Sequence, residues 1–104
     1  MQRLQTPDQA AQWLRERVTG ALCTDNRQVQ TNDGFIAWPG AANDARRFVP
    51  VALEQGASAC LIEESGADMF AWSDVPHITN RVASYSGLKS ACGPIAASFY
   101  QHPS

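Results

Sequence analysis

The sequence predicts a single small α/β domain, with a mixed sheet flanked by helices. Three observations carry that expectation. The 104 residues are the length of one domain. Stretches with apolar residues at helical spacing alternate with short apolar runs of strand length. One of those runs, Ala57 to Ile62, is continuously apolar, as suits a strand buried on both faces. The composition, 44% hydrophobic and 17% charged, is that of an ordinary globular chain with a modest core.

The elements follow in order. Thr6-Pro7-Asp8 is a helix start, a capping residue followed by a proline suited to the first turn. Ala10, Ala11, Trp13, Leu14 and Val18 then form an apolar stripe, and Gly20 is the expected stop. Ala21 to Thr24 reads as a short strand. Asn32-Asp33-Gly34 is a turn signal, because Asn and Gly tolerate positive φ. Phe35 to Trp38 is a second strand, ended by Pro39-Gly40. The two strands can pair as a hairpin or lie apart in one sheet. Asp44 is the expected N-cap of a helix with Phe48, Val49, Ala52 and Leu53 on one face and Gly56 at its end. Pro50 suits a first turn, which places the helical start nearer Arg47. Ala57 to Ile62 is the third strand. Ser65 to Asp74 reads as loop with a helical turn, and Val75 to Thr79 as a fourth strand near an edge, since it contains Pro76. A final helix from about Ser86 carries Leu88, Ala91, Cys92, Ile95 and Phe99 at three-four spacing. Gly93-Pro94 is expected to kink or weaken it, and His102-Pro103 to end it.

Several functions are excluded on composition. The net charge is −2, from eight basic and ten acidic side chains, with no basic stripe to hold a nucleic acid. No apolar run approaches the roughly 18–20 residues of a membrane helix. Met1 to Gln12 has one arginine and no apolar segment, so no signal peptide is read there and a cytoplasmic location is expected. Cys23, Cys60 and Cys92 are widely spaced and odd in number, which fits reduced core thiols. No Cys/His cluster suggests a metal. His77 and His102 each stand alone and read as ordinary surface or satisfied residues. The sequence holds no GxxxxGK[ST] or GxGxxG phosphate loop, no GxSxG elbow and no HExxH. No catalytic residue is expected in this chain.

Two segments at strand ends are the candidate site. One is Thr24-Asp25-Asn26-Arg27; the other is Trp38-Pro39-Gly40-Ala41-Ala42-Asn43-Asp44. Ligands in open α/β sheets bind beyond such ends. Small residues at 40 to 43 allow close approach to the backbone. The amides of Asn26 and Asn43 offer donor and acceptor together, a match for a uracil edge. The plainer alternative is turn chemistry, with Arg27 in an ion pair with Asp25 or Asp44, Trp38 packing on the core rim, and Arg46 and Arg47 solvated rather than bound to phosphate.

These same segments carry a resemblance. Thr24-Asp25-Asn26-Arg27-Gln28-Val29, then Asp33-Gly34-Phe35-Ile36-Ala37-Trp38-Pro39-Gly40, then Asp44-Ala45-Arg46-Arg47-Phe48-Val49 and Gln55-Gly56-Ala57 are similar to the ordered motifs D-S-R, G-D-x-F-x-A-x-x-G, D-G-x-x-F-I and Q-G-A of the Mur ligase N-terminal domain. The ending Phe99-Tyr100-Gln101-His102-Pro103-Ser104 resembles the F-Y-x-x-P-S that closes this domain in the MurE type. The resemblance implies one domain over residues 1–104, without the ATP-binding and C-terminal ligase domains. It implies binding of UDP-N-acetylmuramoyl-L-alanyl-D-glutamate by this domain, and no catalysis by the chain alone. The full-length ligase would use ATP and magnesium to add the third residue, diaminopimelate or lysine, of the peptidoglycan stem peptide. Its partners would be that substrate and its own remaining domains. Position by position, the substrate contacts implied are Thr24, Asn26, Ala41, Ala42 and Asn43, supported by Asp25, Arg27, Asp44 and Arg46. Asn26 replaces the family's serine, Ala45 its glycine, and Ala41-Ala42 a His-Gln pair common among relatives. The alternatives are the MurF type, which adds D-Ala-D-Ala, and a non-enzymatic protein-interaction domain.

Overall fold

The computed structural model of the chain describes residues 2–39, 44–65 and 81–101; the side chains of Gln2, Asn26 and Gln101 fall outside the description. Strand β1 is Gln2–Leu4, helix α1 Pro7–Arg17, strand β2 Leu22–Cys23 and strand β3 Gly34–Ala37. A 3-10 turn at Asn26–Gln28 lies between β2 and β3, and a second at Ala45–Phe48 leads into helix α2, Val49–Gln55. Strand β4 is Ala59–Glu63, strand β5 Val82–Tyr85 and helix α3 Leu88–Gln101.

Helix α1 starts where its residues dictate. The Thr6 hydroxyl accepts the Gln9 N–H at 3.1 Å, with Pro7 in the first position. The helix stops at Val18, which is extended, and not at Gly20. Before α2, the Asp44 carboxylate caps the 3-10 turn by accepting the Arg46 N–H at 3.0 Å. Pro50 then falls in the first turn of α2, where its missing N–H costs nothing. Gly56 closes α2 at φ 115°, a left-handed conformation that a Cβ would strain. Pro94 does not end α3, which runs through it.

Among the described residues the strands form one sheet, in the order β1-β5-β4-β3-β2. Every pairing between the described strands is parallel, where a mixed sheet was expected. The hairpin reading fails for a physical reason. The Asn26–Gln28 turn reverses the chain once and the Thr31–Asn32 turn, with Asn32 at φ 72°, reverses it again, so β3 runs alongside β2 in the same direction. The expected strand at Val75 to Thr79 and most of the loop before it lie outside the described residues.

The parallel sheet explains the unbroken apolar runs. Phe35 and Ala37 of β3, Cys60 and Ile62 of β4, and Val82 of β5 pack with Val49, Ala52 and Leu53 of α2. The alternate residues Ile36, Ala59, Leu61, Ala83 and Tyr85 pack on the opposite face with Trp13 and Leu14 of α1 and Leu88 and Ile95 of α3. The central strands β3 and β4 are apolar up to Glu63 because both faces are covered. Burial of each large side chain contributes roughly 1.5–3 kcal/mol. The apolar stripes expected for the three helices are the faces that are buried.

Pro94 is exposed and removes one backbone hydrogen bond from the interior of α3. Pro94→Ala should therefore stabilise the chain by about 1–3 kcal/mol, read as a raised urea midpoint at unchanged slope.

Candidate functional site

Because the strands are parallel, the segments that follow them emerge at one edge of the sheet. Strands β2 and β3 are neighbours in the register Leu22↔Gly34 and Cys23↔Phe35. The Thr24–Arg27 segment therefore leaves the sheet next to β3. It lies roughly 7 Å, two strand residues, below the end of β3 at Ala37. Glu63–Ser65 follows β4 on the other side of β3, and Tyr85–Gly87 follows β5.

The first segment is built on Asp33, which is 8% exposed. One carboxylate oxygen accepts the Ala21 N–H at 3.0 Å, and the other accepts the Gln30 N–H at 3.0 Å. The Cys23 thiol donates to the second oxygen at 3.5 Å. The Asp33 carbonyl accepts the Ser58 N–H at 2.9 Å. Gly20 is required here: a Cβ on it would lie 2.2 Å from the carboxylate. The Ala21 N–H bond, with support from Gln30 and against the cost of burial, holds the Asp33 carboxyl below its ordinary pKa. Thr24 is exposed at the top of this frame. Asp25 accepts the Arg27 backbone N–H at 2.9 Å and its guanidinium at 3.2 and 3.0 Å. That pairing lowers the Asp25 carboxyl pKa and stiffens the turn, while Arg27 stays exposed to solvent. Of the two partners expected for Arg27, the structure shows Asp25.

The second segment is described at its flanks. Pro39 and Asp44 form an isolated antiparallel bridge, and the Ala45 N–H reaches the Trp38 carbonyl at 3.4 Å. Trp38 is half-buried against the α1 face of the core. Ala41, Ala42 and Asn43, with Gly40, lie outside the described residues. Arg46 is not a solvated helix residue. It is 4% exposed and pairs with Asp44, whose carboxyl pKa it lowers. Arg47 is exposed, 5.4 Å from the Phe48 ring.

Glu63 was not among the expected residues. It ends the apolar run as a mere boundary in sequence, yet it is 9% exposed. Its carboxylate accepts N–H groups of Ser65 at 3.1 Å, Gly87 at 3.2 Å and Leu88 at 3.0 Å, capping α3. A partner 25 residues downstream leaves no local signal.

The three cysteines are unpaired, and burial pushes the Cys60 thiol up to about 12. Among the described residues no group of three or more His, Cys, Asp or Glu could hold a metal, and no helix is long and apolar enough to cross a membrane. A separate groove of about 420 Å³, polar in its lining, runs along α1 past Gln9, Gln12, Glu16 and Arg17, beside β1.

A parallel α/β domain of this kind is an open-sheet fold, the class in which ligands, where bound, lie beyond the carboxyl ends of the strands. Comparison with curated proteins narrows the class. The chain is 48% identical over 100 residues to the UDP-N-acetylmuramoyl-L-alanyl-D-glutamate--2,6-diaminopimelate ligase of Acidovorax sp. (strain JS42), covering 96% of this chain and 19% of the relative. It is 38% identical to the ligase of the same name from Pseudomonas putida, over 86% of this chain and 17% of the relative. With that of Coxiella burnetii it shares 37% identity over 81% of this chain and 16% of the relative. No family model matches the chain. Over most of its own length the chain is a homologue of these MurE-type ligases, and it spans less than a fifth of theirs.

The depressed pKa of Asp33 has a definite sign. Its contribution to stability is complete above the unfolded carboxylate pKa near about 4 and is lost as pH falls through the folded value. Asp33→Asn should lower stability by about 1–3 kcal/mol at neutral pH and flatten the acid limb of the urea midpoint against pH. Wild type and variant curves that stay parallel below about pH 4 would contradict this assignment.

Proposed function

We propose that this chain binds the uridine-diphosphate end of UDP-N-acetylmuramoyl-L-alanyl-D-glutamate, the substrate named in its relatives. The observation that supports the reading is the parallel pairing of β2 with β3, by which the Thr24–Arg27 segment leaves the sheet at the same edge as the end of β3, where Asp44 bridges back to Pro39. Thr24 offers an exposed hydroxyl. Asn26 would present amide donor and acceptor to the uracil edge, in place of the family's serine. Ala41, Ala42 and Asn43 would contribute backbone groups and one amide. Asp25 with Arg27 and Asp44 with Arg46 would hold the two segments in place.

In the full-length ligase this binding energy would be remote from the reacting carboxylate and would serve to position it. ATP and magnesium would supply phosphoryl activation there. The residues of this chain do not fit those groups: its sequence lacks a phosphate loop, and its described residues lack a converging metal-ligand set. The chain's own part is therefore recognition, with the attachment of diaminopimelate or lysine carried out by the whole enzyme in the cytoplasm. The names of the relatives favour diaminopimelate and the MurE type over MurF.

Titration of ¹⁵N-labelled chain with UDP to millimolar concentration tests the reading. Amides of Thr24 to Arg27 and Asp44 to Arg46 should shift, and Asn26→Ala should reduce the shifts. Shifts confined to Gln9, Gln12 and Glu16 along the α1 groove, or none at all, would reject it.

A further inference from the structure

Arg46 is buried at the carboxyl edge of the sheet, two residues after Asp44, which bridges back to Pro39. Its Nε–H donates to Asp44 Oδ1 at 2.9 Å, and its Nη2 donates to Asp44 Oδ2 at 2.6 Å. Its Nη1 donates to the Glu63 carbonyl at 2.9 Å and to the Ser65 carbonyl at 2.5 Å. The same Asp44 accepts the Arg46 backbone N–H and bridges back to Pro39. One guanidinium thus joins the end of β3, the end of β4 and the turn beyond β4. The Glu63 carboxylate extends the tie to β5 and α3 through Gly87 and Leu88.

We propose that Arg46 is the positioning residue of the nucleotide site and not a phosphate ligand, an inference that rests on the UDP-binding reading above. A guanidinium has five N–H donors in a fixed fork. Here Nε and Nη2 grip a carboxylate side-on, while Nη1 holds two carbonyls. Turning toward a phosphate outside would strip the buried Glu63 carbonyl, the Ser65 carbonyl and the Asp44 carboxylate of their partner. The side chain is suited to setting the spacing between the β3 and β4 ends. Lysine keeps the charge but cannot reproduce the fork. A phosphate ligand and a positioning residue therefore differ in a measurable way. Loss of a phosphate contact weakens UDP and spares uridine. Loss of the frame weakens both.

The test is Arg46→Lys in this chain, with UDP and uridine titrated separately by NMR. Folding is checked by amide dispersion and thermal midpoint. The expected result is a folded variant that binds UDP about tenfold more weakly and uridine weaker by the same factor. Its Ser65 and Leu88 amide resonances should move even without ligand. If Arg46→Lys does not fold, Asp44→Asn removes the charge from the other side of the fork and should give the same parallel loss. Weakened UDP with unchanged uridine would make Arg46 a phosphate ligand. Unchanged UDP affinity with a lower midpoint would make it purely structural. Either result overturns the proposal and leaves the UDP reading standing. Absence of UDP binding by the wild type would overturn both.

Discussion

The Asp33 carboxylate is the interaction on which the rest of this structure depends. Strands β2 and β3 must run parallel, yet only residues 24–33 separate them, with a 3-10 turn where a full crossover helix is usual. Such a short crossover leaves backbone N–H groups without ladder partners. Asp33 takes up the Gln30 N–H of this crossover and the Ala21 N–H just before β2, and its own carbonyl takes the Ser58 N–H. The Asn32 N–H reaches the Gly56 carbonyl at 2.9 Å, so the same turn is tied to the end of α2. Gly20 leaves room for the carboxylate, and Asn32 accepts the positive φ. These few residues decide that the segment after β2 emerges beside β3 at the carboxyl edge.

The second constraint is coverage of both faces of the sheet. Helix α2 covers one, and α1 with α3 cover the other. With no wet face, β3 carries apolar side chains at Phe35, Ile36 and Ala37 and no polar one. The exception in β4 is its last residue, Glu63, where the strand meets the helix start and a charge finds three N–H donors. The edge is thus polar where the chain leaves the sheet and apolar below. Arg46 fits the same logic: it is a buried cation, matched by a carboxylate and two carbonyls.

Local signals accounted for the helices. The Thr6 cap, the Pro50 first turn and the stripes of α1, α2 and α3 depend on residues three or four apart, and each is visible in sequence. Two strands were not. Gln2–Leu4 has one apolar residue, and Val82–Tyr85 contains Ala and Ser; both become strands by pairing with each other, and β5 also with β4. Gly20 misled because it serves a carboxylate thirteen residues away and not the helix end. Pro94 lies within α3, as the stripe from Leu88 to Phe99 on either side of it implied.

The sequence by itself determined the α/β class, the helix faces, the likeness to MurE-type ligases and the places where the chain leaves β2 and β3, since these rest on short-range pattern and on ordered motifs. It also pointed to the Asp25–Arg27 pair, whose members are two residues apart. Tertiary structure alone decided that the sheet is parallel, that Arg46 is buried and that Glu63 caps α3. Each of those rests on contacts between residues 17 to 25 positions apart or on strand pairing, and hydrogen-bond partners at that distance leave no periodic trace in the chain.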